Sequence, residues 1–387
     1  MFRPASDDTA AIPSLLSVSA SQPKVDFVHP GYDGDFISAA FLSLPPLDDG
    51  GVCFDTAIAA CGLIACNQWT GYLSTDKAGQ NRVARPADGI LRNHPYYYFH
   101  VPVTGSLPYP VIPRFSDWAF PHGNLPAPWA RLQLQTNPNI QGQCIATKYS
   151  HGVDSAHCVP SSESEWWDFN YMGRYSSSSA VNFSTQPQDS PANLIPLRAD
   201  FHRVFDGRHL CFVPKEVKTA DSAAIQTCLY IHVFVPSYNG QVAGLWHNRA
   251  LHPLPPGLSK ECLFARFAYT VLSPAVFASS VFLGGSRVAR HLCTRDPKTQ
   301  TPTAKMESPD SCRRILRTAR SRSPRKRSAP PGNDDDAGGC SEGDSDSGYF
   351  SRKATLSGTY GLPFQLLEEE EEERGRSRKR ARVIGGE

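Results

Sequence analysis

The sequence has no long run of apolar residues. No stretch approaches the roughly 20 apolar residues that a helix needs to cross a bilayer, so we expect no membrane contact. Its start contains Arg3 and the acidic pair Asp7 and Asp8, and it lacks the uninterrupted apolar segment of a secretory signal peptide. The sequence therefore predicts a protein that is neither embedded in a membrane nor secreted.

The cysteines lack any regular pairing. The chain has 11 of them, an odd number, and no two stand in a C-x-x-C arrangement. This argues against a disulfide framework and against a cysteine-bound structural zinc, and it favours a reducing compartment. An apolar core must then hold the fold, and 387 residues of which 40% are hydrophobic are enough to form one.

The charges balance in number but are separated along the chain. The net charge is +2, yet the acidic and basic runs near the end form distinct blocks. Residues 294–387 are rich in Lys, Arg, Ser, Pro, Gly and Asp, which predicts a disordered basic and acidic tail. Two basic clusters in this tail are typical of nuclear import signals, which an import receptor binds: Arg325, Lys326 and Arg327, and Arg378, Lys379 and Arg380. We therefore expect a nuclear protein, with the cytoplasm as the alternative.

Composition divides the remainder into three parts. Residues 1–22 are rich in Ser, Ala and Asp and are predicted to be disordered. Residues 23–130 alternate apolar and polar positions and predict an α+β region, mostly β, whose role the sequence leaves open. Prolines concentrated between 102 and 128 mark a boundary, and residues 131–293 form the next domain.

Within that domain, one segment combines residues that can do chemistry. Asn193 begins a short apolar strand-like run that leads into a helical turn holding His202 and Asp206. Their spacing of four places the imidazole and the carboxylate one above the other, where they can share a divalent cation. Gly207 suits the end of that helix. Upstream, His157 lies in a second strand-like segment.

The order of these residues resembles the His-Asn-His signature of HNH endonucleases. The resemblance rests on His157 in the string A-H-x-x-P, on Asn193, and on His202 nine positions after Asn193. It is similar to the HNH domains common in fungal proteins. The family implies a ββα-metal nuclease core, here within a mixed α+β domain, with a closing helix near its end. It also implies a metal-dependent endonuclease that hydrolyses phosphodiester bonds, with DNA favoured over RNA.

The resemblance gives each residue of the catalytic set a role. His157 is expected to take a proton from the attacking water, and Asn193 to hold the loop that orients the His157 ring. His202 and Asp206 are expected to bind a single divalent ion. Oxygen and imidazole ligands with open positions favour Mg²⁺ or Mn²⁺, and Zn²⁺ stays open.

The sequence also departs from the family pattern. Many members carry a further metal ligand immediately before the base, where this chain has Ala156. Asp154 shares the side of Ala156 on an extended strand and is the candidate replacement. The cationic candidates for binding phosphate are Arg198 and Arg203. Because of Ala156, a second interpretation stays open, in which an inactive HNH scaffold binds nucleic acid or protein.

Two further segments bear on the domain. The polar insertion between His157 and Asn193 contains Trp166 and Trp167, which either belong to a substrate lid or start a helix that packs on the core. The sequence does not decide between these. The run Trp246–Arg249 repeats the order His-Asn, but prolines follow it closely and we interpret it as a loop.

Overall fold

The computed structural model describes the chain from residue 24 to residue 320 with gaps, and the described ranges are 24–32, 39–102, 107–140, 142–176, 187–218, 225–236, 240–285, 287–296 and 299–320. All of them fall in one compact unit, residues 1–324. The predicted disordered N-terminus and both import clusters lie outside the described residues. None of the described helices is long and apolar enough to cross a membrane.

Helices and strands alternate along this unit, so the fold is mixed α+β as predicted. The strands are β1 (Val25–Val28), β2 (Ala40–Leu44), β3 (Val52–Cys53), β4 (Tyr72–Ser74), β5 (Ile90–Leu91), β6 (Tyr96–His100), β7 (Val153–His157), β8 (Leu194–Arg198), β9 (Leu210–Lys218), β10 (Ile225–Val233), β11 (Arg290–Arg295) and β12 (Pro302–Glu307). The helices are α1 (Phe54–Ile64), α2 (Ala127–Arg131), α3 (Ser164–Phe169), α4 (Ala199–Asp206), α5 (Gln241–Trp246), α6 (Lys260–Val271) and α7 (Pro309–Arg320).

The N-terminal region is built on a four-stranded sheet in the order β2-β1-β6-β4. Strand β1 pairs antiparallel with β2 and parallel with β6, and β6 pairs antiparallel with β4. In β6, Tyr97 and Phe99 are buried while Tyr96 and Tyr98 are partly exposed. This alternation is the pattern of a half-buried strand. Helix α1 supplies a mostly buried run of small and aliphatic side chains to the same core.

The N-terminal region and the domain after it share one hydrophobic core. Trp118 stacks on Trp166 of α3 with ring centroids 5.5 Å apart. Trp129 of α2 meets Phe264 of α6 edge to face at 5.2 Å. Helix α6 begins as its sequence indicates, because the Ser259 hydroxyl accepts hydrogen bonds from two backbone N–H groups of the first turn. Large aromatic side chains thus join the two regions near the boundary placed at residue 130.

The prediction that order ends at residue 294 is wrong for the described part of 294–320. Strands β11 and β12 pair antiparallel over six residues. Helix α7 then places Cys312 in the core, fully buried, with Ile315 and Leu316 half-buried beside it. Leu316 packs against Gly284 of the π-helical turn Ser280–Gly284. A narrow apolar stripe is enough to dock a helix whose average composition is strongly polar.

His29 is a buried, neutral histidine in the N-terminal core. Its Nδ1 accepts a hydrogen bond from the Gly31 N–H at 3.0 Å, so the ring proton is on Nε2, which donates to the Tyr109 carbonyl at 3.0 Å. The ring also stacks on Tyr109 with centroids 3.7 Å apart. Burial lowers the pKa of His29 to about 3. A second ring proton would point at the Gly31 N–H, which explains why the neutral form is held.

His29 should make the protein less stable in mild acid. The folded-state pKa lies below the unfolded value, so its stabilisation is complete above about pH 6.5 and is lost as pH falls toward the folded pKa. We expect this group alone to cost about 3 kcal/mol of unfolding free energy by pH 4. Urea unfolding of the parent and of His29→Gln at pH 7 and pH 4 measures it. A stability difference between the two proteins that is independent of pH would show that His29 is not the titrating group.

Candidate active site

Strands β7 and β8 and helix α4 form a continuous ββα unit. The strands pair antiparallel with Val153 opposite Arg198 and His157 opposite Leu194. Helix α4 follows β8 without a gap, and its first N–H, from Ala199, donates to the Gly152 carbonyl at 2.9 Å. The face toward the core carries small and aliphatic hairpin residues and the aromatic residues of α4: Ala156, Ile195, Leu197, Phe201 and Phe205. This is the predicted ββα core.

His202 lies between two carboxylates at one end of the unit. Its Nδ1 is 3.4 Å from an Asp154 oxygen, and its Nε2 is 3.2 Å from an Asp206 oxygen one helical turn later. The carboxylates are more than half exposed, at 53% and 57%. The structure therefore brings the three candidate metal ligands together on a face open to solvent.

The same geometry limits how one cation can be held. Because the two carboxylates face opposite ring nitrogens, a cation on one nitrogen would be shared with one carboxylate only. The other carboxylate would remain hydrogen-bonded to the second nitrogen, an arrangement that commonly orients metal-binding histidines. Imidazole, carboxylate and open positions suit Mg²⁺ or Mn²⁺. Ala156 is fully buried, so the position before His157 supplies no ligand.

The two carboxylates should differ in their effect on metal affinity. We expect Asp206→Asn to remove a ligand and weaken Mn²⁺ binding more than about 100-fold, and Asp154→Asn to remove an orienting contact and weaken it about tenfold. Titration calorimetry with Mn²⁺ measures both. Asp200→Asn, which changes an exposed carboxylate of the same helix, is the control and should bind as the parent does. A larger loss in Asp154→Asn would reverse the two roles.

His157 is held by a carboxylate that the sequence did not single out. Its Nε2 is 2.8 Å from an Asp189 oxygen, and both side chains are partly exposed. Since a carboxylate can only accept, Nε2 carries the ring proton and Nδ1 is left as the basic atom. Asp189 ends the 3₁₀ turn Pro187–Asp189, four residues before Asn193. Its position so close to Asn193 in the chain is the one sequence feature that could have pointed to Asp189.

Asn193 fixes both sides of this pair. It is fully buried, and its Oδ1 accepts from the Val159 N–H at 2.8 Å. Its Nδ2 donates to the carbonyls of Val159 and Gln188, both at 3.0 Å. Its own carbonyl accepts from the Cys158 N–H at 2.8 Å. Asn193 thus ties the chain just after His157 to the chain just before Asp189.

The site has two halves. We call His157 with Asp189 the base half, and His202 with Asp154 and Asp206 the ligand half, after the roles expected of the two histidines. His157 lies three residues beyond Asp154 on β7, roughly 10 Å of strand rise. The two halves use different carboxylates.

The two candidate phosphate-binding arginines differ in their surroundings. Arg198 ends β8, where its guanidinium forms two hydrogen bonds to Asp200, at 2.6 and 2.7 Å, and lies 5.3 Å from the Tyr149 ring centroid. Arg203 is exposed on α4, one residue after the central histidine. Arg203 thus lies on the helix that carries His202 and Asp206, and Arg198 lies at the end of the strand that leads into that helix.

The insertion between His157 and Asn193 folds in part onto the core. Trp166 and Trp167 lie in α3 with 2% and 1% of their surfaces exposed. The Trp166 indole N–H donates to the Trp118 carbonyl at 2.7 Å. The helix interpretation is therefore correct for residues 164–169. Residues 177–186, where a lid would extend, lie outside the described part of the chain.

A second cluster of polar side chains is buried beneath β9 and β10. One oxygen of Asp48 accepts from Lys215 at 2.8 Å and from the Asn248 amide at 2.9 Å, and the His247 Nε2 is 3.2 Å away. The other Asp48 oxygen accepts from the Cys53 N–H at 3.0 Å. Each of these side chains is at most 5% exposed. After Trp246, which ends α5, the segment is a turn as predicted, but its His247 and Asn248 side chains are buried.

Ligand atoms of Asp48, His232 and His247 lie within 4.8 Å of one another, close enough for a shared metal ion. Two observations argue against one. The His247 Nδ1 accepts from the Val233 N–H at 3.1 Å, so its Nε2 carries a proton and has no lone pair for a metal. The Lys215 ammonium already neutralises Asp48. Burial alone would raise the pKa of Asp48, but Lys215 and His247 outweigh it and hold that pKa well below its usual range.

Arg266 of α6 supports the ligand half from below. It is fully buried, its guanidinium carbon lies 3.5 Å from the Phe205 ring centroid, and it donates to the Phe205 carbonyl. Burial lowers its pKa to about 10, so it stays cationic. Phe205 directly precedes Asp206, and the contact thus holds the last turn of α4. Nothing in the sequence pattern assigns this arginine a role.

Comparison with known proteins supports the same part of the chain. The family model described as HNH endonuclease matches residues 140–213. Neither curated proteins nor solved structures gave a match. The matched residues contain β7, β8 and α4 and both halves of the site. The chain therefore carries a domain of the HNH endonuclease family, with its ββα unit at residues 153–206.

Proposed function

We propose that the chain is a metal-dependent endonuclease that hydrolyses phosphodiester bonds of nucleic acid, with DNA rather than RNA as substrate. One observation carries the proposal. In a ββα unit of the HNH family, an imidazole held by a carboxylate stands on the hairpin, and an imidazole flanked by two carboxylates stands on the helix that follows it. The first is the arrangement of a general base and the second that of a metal ligand.

The base half generates the nucleophile. Asp189 keeps the ring proton of His157 on Nε2, which leaves Nδ1 to take a proton from water. The imidazolium that results is stabilised by the Asp189 carboxylate, in the way a third group assists a catalytic histidine. Asn193 holds the chain on either side, so the ring meets the water in a fixed orientation.

The ligand half binds the phosphate side of the reaction. His202 and one carboxylate would hold the divalent ion, which when bound supplies positive charge to the phosphate and leaving-group oxygens. Arg203, exposed on α4, can add a second positive charge to the same phosphate. Arg266 keeps the end of α4 in place beneath Asp206.

The test is the nicking of supercoiled plasmid by the purified chain. We expect cleavage with Mg²⁺ or Mn²⁺, none with EDTA, and none by His202→Ala with either metal. Cleavage of a single-stranded RNA is compared with cleavage of a single-stranded DNA of the same length, and we expect the RNA to be cut more slowly. Cleavage that persists in EDTA contradicts metal dependence. Salt-sensitive DNA binding without cleavage, at millimolar metal, supports the inactive scaffold instead.

Nuclear localisation is a further proposal and rests on the two basic clusters of the tail, 325–327 and 378–380. A fluorescent fusion in which both clusters are replaced by alanine should leave the nucleus. A fusion that stays nuclear without them would contradict the proposal.

A further inference from the structure

Tyr149 is an aromatic side chain on the surface of the matched domain. It is 52% exposed, whereas the four residues at 144–147 are almost fully buried. A large ring left in solvent does little for the core, because the favourable term in burial is the removal of apolar surface from water. Packing in the core therefore does not explain why an aromatic side chain stands at this position.

The backbone that carries Tyr149 is fixed. The Tyr149 carbonyl accepts from the Cys144 N–H at 2.9 Å, and the Lys148 N–H donates to the Cys144 carbonyl at 2.8 Å. The Ile145 N–H donates to the Pro196 carbonyl of β8 at 3.1 Å. The loop is thus tied to the same hairpin that carries the site. Its exposed ring is therefore carried by a fixed backbone, as a side chain that binds a ligand should be.

Tyr149 also lies beside Arg198, the residue that leads into the helix of the ligand half. The Arg198 guanidinium carbon is 5.3 Å from its ring centroid. Arg198 is the residue immediately before α4, four positions before His202, and it pairs across the hairpin with Val153, the neighbour of Asp154. An aromatic face and a cation therefore stand together four residues before the ligand histidine in the chain. Arg198 uses Nε and Nη2 for its pair with Asp200, so its Nη1 is the group that would reach a phosphate.

We propose that Tyr149 and Arg198 form a subsite for one unpaired nucleotide beside the scissile phosphate, with the base stacked on the Tyr149 ring and its phosphate bound by Arg198. This rests on the proposed endonuclease function and narrows its substrate. A stacked base must leave its neighbours, so the subsite favours single-stranded or locally unpaired nucleic acid over intact duplex. Any of the four bases has a face that can stack, so the subsite adds affinity without sequence preference.

The experiment measures binding without cleavage. Fluorescence anisotropy of a labelled oligothymidylate of about 12 nucleotides is recorded with His157→Ala as the background variant. Adding Tyr149→Ala should weaken binding about tenfold, whereas Tyr149→Phe, which keeps the ring, should change it less than about twofold. The matched control is Tyr171→Ala. Tyr171 is 69% exposed and also lies beside an arginine, Arg174, but it stands in the turn after α3.

A second probe isolates the base. The same experiment with a strand of equal length made of abasic residues keeps every phosphate and removes every stacking face. We expect the effect of Tyr149→Ala to disappear with this strand. An equal loss on both strands, an equal loss in Tyr171→Ala, or no binding of oligothymidylate by the background variant overturns the subsite.

The outcome separates the subsite from the catalytic proposal. A parent protein that cuts plasmid while Tyr149→Ala binds oligothymidylate like its background leaves the endonuclease and removes the subsite. If the parent protein does not cut plasmid but Tyr149→Ala still weakens oligothymidylate binding about tenfold, the subsite stands and the endonuclease proposal fails.

Discussion

Replacing His157 with alanine is expected to slow metal-dependent cleavage about 1,000-fold, the scale on which a lost general base acts. The side chain is 28% exposed and reaches Asp189 rather than the core, so its removal should leave the fold unchanged. It has no contact with the His202 cluster among the hydrogen bonds of the described residues, so Mn²⁺ affinity should also be unchanged. Single-turnover plasmid nicking and Mn²⁺ calorimetry on the same preparation measure the two properties.

Two further variants test the role of the Asp189 carboxylate and provide a control for the loss of a histidine. Asp189→Asn keeps the hydrogen-bonding position but removes the charge, and it should slow cleavage less than His157→Ala does. His151→Ala removes an exposed histidine from the turn that precedes β7 and should cleave as the parent does. If His157→Ala cuts at the parent rate, the base has been assigned to the wrong residue.

Replacing Lys215 with methionine is expected to cost about 3 to 5 kcal/mol of unfolding free energy, because it leaves the Asp48 carboxylate charged and buried without its cationic partner. Both residues are at most 4% exposed, so water cannot take the place of the ammonium. In the parent the folded-state pKa of Asp48 is lowered, so the stabilisation by the pair with Lys215 is present above about pH 4 and is lost as the carboxylate is protonated in stronger acid. Urea unfolding at pH 7 measures the loss.

The double variant Lys215→Met with Asp48→Asn should recover part of that stability, since the buried charge is then removed together with its partner. Lys305→Met is the surface control. It breaks a pair between the exposed Lys305 ammonium and Glu307 on β12 and should change stability by less than about 0.5 kcal/mol. A Lys215→Met variant no less stable than this control would show that Asp48 is neutral in the fold.

The elements that position the site follow from local sequence patterns. Alternation around His157 and the apolar run after Asn193 predict the two strands, and the spacing of His202 and Asp206 predicts the helix that follows. Each of these signals lies within a few residues of the structure it specifies. The ββα unit could therefore be predicted, and the comparison with the HNH endonuclease family supports it independently.

The residues that support the site could not be predicted in the same way, because their partners are distant in the chain. Lys215 meets Asp48 across 167 positions, and Arg266 meets the Phe205 carbonyl across 61. Asp189 is closer but lies in a turn that carries no helix or strand pattern. The order beyond residue 294 was missed for a related reason, since average composition hides the narrow apolar stripe of α7.

The catalytic proposal depends most on how the base half and the ligand half are placed relative to each other. Asp154 and His157 are three positions apart, and in an ideal strand such residues face opposite sides. The base half and the ligand half, roughly 10 Å apart along β7, must therefore reach the same phosphate for the mechanism to work. A metal ion bound at the ligand half fixes where that phosphate lies.

A crystal structure of the protein with Mn²⁺ and an uncleaved oligonucleotide, read by the anomalous signal of the metal, tests this most directly. We expect a manganese ion within bonding distance of a His202 nitrogen and of one flanking carboxylate, with the His157 Nδ1 turned toward a water in line with the bound phosphate. A manganese ion only at the buried Asp48 cluster, or a phosphate out of reach of His157, would contradict the account.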